Sequence, residues 1–249
     1  MEQREDFGRR LLISVDARGY GASDDRRQSA IQKALLDLLD EAAARATLAR
    51  RTWLRQAAGD GELSVLPETE PEPCVVDDLV RELSAALTLH NEDFHADARL
   101  RLRIAIHHGV AIRAANGFSG QGVVVVSRLV DSRPLRTALQ ISGADLAVIL
   151  SRRVFLDTVV QRHTSLRAAD FRKVRIQNKE YNEDAWIRVP GADIHALELP
   201  EGDGQAPADV ASDPEAVRAA PPDPGGPMVF TQIHGPVIAN DPTFGIRNG

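Results

Sequence analysis

The sequence predicts an α+β fold, ferredoxin-like in its core, with a central, mostly antiparallel sheet and helices packed on one side of it. Three observations carry this. Along residues 9–191, apolar positions switch between a period of two and a period near 3.6. A Gly-Asp-Gly hairpin falls between two long amphipathic stretches, which gives the β-α-β-β-α-β order of a ferredoxin-like unit. Beyond residue 199 both periods disappear.

Each element has its own signal. Leu11-Leu12-Ile13-Ser14-Val15 is a β-prone apolar run and reads as a buried strand ending at Asp16. Gly19 and Gly21 punctuate a loop, and Asp24 or Asp25 is placed to cap the next helix. Over residues 28–48, Ile31, Leu35, Leu38, Leu39 and Ala42 recur at helical spacing. Residues 52–57 and 62–66 flank Ala58-Gly59-Asp60-Gly61 and read as a hairpin. Pro67, Pro71 and Pro73 force a loop, and residues 75–91 form a second helix with Leu79, Leu83, Ala86 and Leu87 on one face. The segment from Leu100 to Ile106 alternates cleanly, as a half-buried strand does. Residues 120–139 are helical and divided by Pro134, residues 144–150 a strand, 151–161 a short helix, and 174–177 with 185–189 a terminal strand pair.

Composition narrows the function classes. The 249 residues are 43% hydrophobic, enough for one sizeable core. A net charge of −6 argues against a protein that holds nucleic acid by bulk electrostatics. The single Cys74 excludes an internal disulfide and a cysteine-rich zinc site, and the seven histidines lack metal-ligand spacing. His107 and His108 are adjacent, so on a strand they face opposite ways. The charged N-terminus has no signal-like apolar stretch and no run is long enough to span a bilayer, so the expectation is a cytoplasmic protein without a membrane partner.

Two acidic residues stand in unusual places. Asp16 ends the first buried strand and is followed by Ala17-Arg18-Gly19-Tyr20, while Asp60 sits at a hairpin tip between two glycines. On neighbouring strands the two carboxylates would project from one sheet edge and hold divalent cations against a triphosphate. The other reading is an ordinary turn and a helix-capping aspartate, and the residues alone leave both open.

Taken in order, these motifs resemble the catalytic domain of class III nucleotidyl cyclases. Asp16-Ala17-Arg18-Gly19-Tyr20 is similar to that family's strand-end Asp followed by Gly and an aromatic. Gly59-Asp60-Gly61 resembles its second metal-binding hairpin, and the run from Leu100 to Gly109 resembles its central strand. Ser127-Arg128-Leu129 resembles its helical signature, and residues 174–189, with Lys179 in the turn, its phosphate-binding hairpin. The resemblance implies that Asp16, Asp60 and the carbonyl of Ala17 bind two Mg²⁺ or Mn²⁺ ions, that Arg128 stabilises transition-state charge, and that Lys179 touches the terminal phosphates. It further implies a nucleoside triphosphate substrate, release of a cyclic mononucleotide and pyrophosphate, and a head-to-tail homodimer.

The base half of the pattern departs from the family. The base-selecting lysine falls at Gln56, its partner near Gly117 or Phe118, and the ribose-positioning asparagine at Val124. Either an altered substrate or a nucleotide-binding domain without turnover fits this. A third alternative makes the domain a dimerisation scaffold for the tail.

Residues 199–227 are rich in Gly, Pro, Ala and Asp and read as a disordered linker. Residues 228–249 turn apolar again, and Gln232-Ile233-His234-Gly235-Pro236-Val237 resembles the amyloid-signalling motifs of bacterial immune effectors, akin to RIP homotypic interaction motifs. Recruitment of a protein partner in a signalling or defence context is one expectation. A strand folded back on the domain is the other, and Pro236 and Pro242 weigh against a long ladder.

Overall fold

In a computed structural model, residues 8–22, 24–58, 60–115, 117–178 and 181–200 are described. Strand β1 (Gly8–Ala17) carries buried side chains on both faces and lies in the middle of the sheet, which is why its sequence reads as an unbroken apolar run. Helix α1 (Asp25–Arg45) is started by Asp24, whose carboxylate accepts the backbone N–H of Arg27 at 2.8 Å. The hairpin β2 (Leu54–Ala58) and β3 (Gly61–Val65) brings Asp60 into its turn. Helix α2 (Val80–Asn91) is preceded by an α-helical turn (Glu72–Cys74) and a π-helical one (Val75–Leu79). Strand β4 (Leu102–Ala114) then pairs with β1 and runs well past the alternating segment that announced it.

These elements give the order β2-β3-β1-β4, the ferredoxin-like arrangement expected. A short β5 (Gly117–Ser119) folds back on the end of β4. Two helices follow, α3 (Gln121–Val130) and α4 (Arg133–Ser142), with Pro134 in the first turn of α4, where its missing N–H costs nothing. Strand β6 (Leu146–Ser151) is parallel to β4, and β7 (Arg172–Asn178) and β8 (Tyr181–Arg188) complete the sheet, which otherwise is antiparallel.

Helices cover both faces, not one. Leu11, Ile13 and Val15 pack with Leu39, Leu83 and the helical segment containing Phe155. Leu12, Ala105 and Ile149 on the opposite face pack with Val126, Leu129 and Leu135. The reason is topological: parallel β4 and β6 need a crossover, and α3 and α4 supply it on the face that the ferredoxin-like half leaves bare. The predicted linker and tail, residues 199–227 and 228–249, lie outside the described residues from 201 onward.

Candidate functional site

The last ladder positions of β1 set the geometry. Asp16 is the cross-strand partner of Gly61 on one side and of Arg103 on the other. Asp60 therefore stands one residue beyond the rung that Asp16 occupies, and the Ala17 N–H donates to the Asp60 carbonyl at 3.1 Å. A side chain at position 61 would put its Cβ 2.0 Å from the Val15 carbonyl oxygen, so the second glycine of the turn is required for this close approach. The hairpin is braced two residues further on. Buried Arg50 donates to both Glu62 oxygens, at 2.7 and 3.0 Å, and to Asp40 of α1 at 2.6 Å.

The Asp16 carboxylate accepts from the Arg103 guanidinium. Its pKa is nevertheless pushed up to about 6. Burial is the largest cause, the Arg103 cation opposes it, and the neighbouring Asp60 carboxylate adds to it through its charge and a hydrogen bond. Two acids crowded this way hold a proton or a cation between them. Their hard oxygen donors suit Mg²⁺ or Mn²⁺, which take one or two carboxylates and fill their remaining positions with substrate phosphate and water. No cluster of three or more His, Cys, Asp or Glu side chains suited to a metal occurs among the described residues. The donor set available is thus the two carboxylates with backbone oxygen.

Arg103 was not singled out in the sequence. Its signal was present in the alternation Leu100-Arg101-Leu102-Arg103, which puts both arginines on one face, but only the β1–β4 register sets Arg103 opposite Asp16. Its Nε is buried without a hydrogen-bond partner, so the guanidinium has unused donor capacity beside the acidic pair.

Of the residues expected to face the base, Gln56 meets Gly117 and Phe118. The Gln56 side-chain oxygen accepts the Phe118 backbone N–H at 3.1 Å and lies flat on Gly117, where any Cβ would meet it at 2.0 Å. Val124 is 45% exposed on α3 and offers no polar atom beyond its backbone. Arg128, one turn on, is half-buried and makes no hydrogen bond or ion pair among the described residues. Helix α3 is pressed onto β4 by glycine. A Cβ at Gly122 would lie 2.7 Å from the Val110 carbonyl oxygen, and one at Gly109 would lie 2.8 Å from the Gly122 Cα. His107 lies beside this crossing, its pKa lowered to about 4 by burial, then by His108 and Arg9. Asp16, Ala17 and Asp60 are brought together, and so are Gln56 and Phe118. No hydrogen bond or ion pair joins the two groups among the described residues. Lys179 lies outside the described residues.

No protein-family model matches the chain, and neither does any curated protein. Solved structures do match its fold. An adenylate/guanylate cyclase/hydrolase from Silicibacter pomeroyi is similar over 74% of this chain and 99% of that one, at 22% identity and a TM-score of 0.54. The adenylyl cyclase CyaB from P. aeruginosa is similar over 74% and 95%, at 11% identity and a TM-score of 0.50. The guanylyl cyclase Cya2 is similar over 78% and 98%, at 16% identity and a TM-score of 0.50. At these identities the likeness is one of fold: the domain is cyclase-like in architecture. No helix among the described residues is long and apolar enough to cross a membrane.

Proposed function

We propose that the domain binds a nucleoside triphosphate at the acidic pair and cyclises it to a 3′,5′-cyclic mononucleotide with release of pyrophosphate. The observation that carries this reading is the convergence of Asp16, Asp60 and Arg103 at one end of the sheet. The 3′-oxygen attacks the α-phosphorus, the bond to the bridging oxygen breaks, pyrophosphate leaves, and the hydroxyl proton passes to solvent. Two Mg²⁺ or Mn²⁺ ions held by Asp16, Asp60 and the Ala17 carbonyl would polarise the phosphates and acidify the 3′-hydroxyl. Arg103, beside Asp16 and with its Nε unpartnered, would offer its guanidinium to phosphate oxygens. Arg128 and Lys179 add positive charge against the leaving group. No hydrogen bond or ion pair joins Gln56 or Arg128 to the acidic residues among the described residues, and a head-to-tail homodimer would supply the complete site, one part from each copy.

A second reading is favoured by the atoms that face the base and ribose. Gln56 has its acceptor occupied by the chain's own backbone, and Val124 brings no side-chain hydrogen bond to a ribose. A domain that holds the triphosphate without turning it over, and signals through residues 228–249, fits those two facts.

The test is incubation of the full chain with ATP, GTP, CTP and UTP in turn, with Mn²⁺, followed by mass detection of cyclic products. Product from at least one triphosphate, lost in Asp60→Asn, is the expected result. Triphosphate binding without product from any of the four leaves the second reading in its place.

A further inference from the structure

A cleft of about 810 Å³ opens between the start of α1 and the chain entering β4, away from the Gln56–Phe118 contact. Its lining mixes two characters: the cations Arg18, Arg99 and Arg101, and the apolar Ile31, Ala34 and Phe94. Phe94 is 44% exposed, an unusual setting for a phenyl ring, and His90 stacks on it at 5.3 Å.

None of the three arginines forms an ion pair among the described residues. Arg101 spends its guanidinium on the carbonyls of Ala144, at 2.8 Å, and Leu139. The Arg99 Nε reaches only the Phe94 carbonyl, at 3.5 Å. Arg18 is exposed and forms no ion pair with a described residue. Asp24 and Asp97 also border the cleft; the Asp24 carboxylate caps α1, and the Asp97 backbone oxygen accepts from Arg27 at 2.9 Å, which brings a fourth arginine to the lining. The like charge is felt inside the cluster: burial and then Arg18 pull the Arg101 pKa down, Asp145 opposes them, and Arg99 adds a smaller downward pull. Clustered cations beside an exposed aromatic ring have the chemistry of a receptor for an anion with a flat apolar body.

We propose that this cleft binds a small aromatic anion, a phosphate or sulfonate attached to a ring, with Arg18 and Arg99 on the anionic group and Phe94 against the ring. Arg18 follows Ala17 and Asp16 directly, and its N–H donates to the Arg101 carbonyl at 2.9 Å. An occupant therefore steadies the turn that leaves the acidic pair, from a position outside it.

The experiment is calorimetric titration of the full chain with phenyl phosphate, inorganic phosphate and benzyl alcohol, in EDTA so that the acidic pair holds no metal. Saturable 1:1 binding of phenyl phosphate is expected, at least about tenfold tighter than either fragment. Arg99→Glu should abolish it, and Ala34→Trp, which fills the apolar side, should weaken it by a similar factor. Asp60→Asn should leave it unchanged, which separates this cleft from the proposed triphosphate site. Absent or non-saturable binding, equal binding by inorganic phosphate, or undiminished binding in Arg99→Glu overturns the proposal. Retention of the far-ultraviolet dichroism spectrum by each variant shows that a loss is local.

Discussion

Arg103 on β4 and Asp16 on β1 are cross-strand partners, yet the cation does not hold the carboxyl at its ordinary pKa. Burial and the Asp60 charge outweigh it, so Asp16 stands near 6 against an unperturbed 3.8. Two strands away from Asp60, His107 on the same β4 is displaced in the other direction, from 6.5 to about 4.

These two displacements oppose one another in stability. Below about pH 4, Asp16 is protonated in the folded and unfolded chain alike and its contribution is intact. Between about pH 4 and 6 the folded chain keeps a proton that the unfolded chain has lost, so stability falls as pH rises and the contribution is lost above 6. For His107 the unfolded chain takes up the proton first, so its contribution is intact above 6.5 and is lost as pH falls through 4. Each spans somewhat over two pH units, on the order of 3 kcal/mol. We therefore predict that these two contributions to the urea-unfolding stability of the parent chain largely offset each other between about pH 4 and 6.5. Asp16→Asn should make stability rise with pH across this window, and His107→Gln should make it fall. Parallel profiles for all three chains would contradict the assignment.

The acidic pair should also govern linkage to ligand. Mn²⁺ with a triphosphate at a hundredfold excess over its Kd stabilises a binding chain by about 2.7 kcal/mol. Differential scanning calorimetry should show that gain as a raised Tm in the parent and little of it in Asp60→Asn. Because Asp16 must shed its proton to hold a cation, the gain should also weaken below about pH 6. An equal rise in the Asp60→Asn variant would place the ligand elsewhere.

Where α3 meets β4 there is no room for a methyl group. Gly122→Ala sets a Cβ against the backbone of Gly109 and Val110, and backbone cannot turn aside as a long side chain does. The helix must lift, at a cost of about 1–3 kcal/mol. Chemical denaturation measures this directly. A loss within about 0.5 kcal/mol would mean that the crossing is looser than the carbonyl contact requires.

Gln56 is predicted to be structural. Gln56→Leu removes the acceptor for the Phe118 N–H and should cost about 1–2 kcal/mol. Gln56→Glu keeps an oxygen there and should cost less. Amide hydrogen exchange at Phe118 distinguishes the two, being accelerated in the leucine variant only.

Much of this site was legible from residue type and spacing. A strand that stops at Asp16 and a turn written Gly-Asp-Gly mark two acids at element ends without any knowledge of pairing. The Asp24 cap and the break at Pro134 follow from local chemistry in the same way. What stayed hidden depends on register. Arg103 opposes Asp16 only because β1 and β4 align as they do, and a slip of one residue would have turned it to the other face. Nor does any local rule reveal the three-residue β5, whose fold-back brings Phe118 to Gln56 across 62 positions of sequence.

The tail prediction rests on sequence alone. A peptide of residues 228–249 should assemble into fibres giving cross-β diffraction spacings, and Ile233→Lys should prevent this by setting an unpaired charge in a stacked interface. Deleting those residues should leave the unfolding free energy of the rest unchanged. A peptide that stays monomeric would overturn the assembly reading, and a deletion that destabilises the chain by several kcal/mol would mean that the segment is part of the fold.

Strand β4 presents Arg103 to the acidic pair and, through Gly109, seats the helix that carries Val124 and Arg128. It is a caliper. Its opening is fixed by ladders to β1 and β6, and a ladder changes only in whole residues, never by degrees. The spacing along β4 between Arg103 and the seat at Gly109 is therefore indifferent to exposed side chains such as Val124, though not to a methyl group at Gly122. Such exposed positions can be rewritten while the strand keeps its setting.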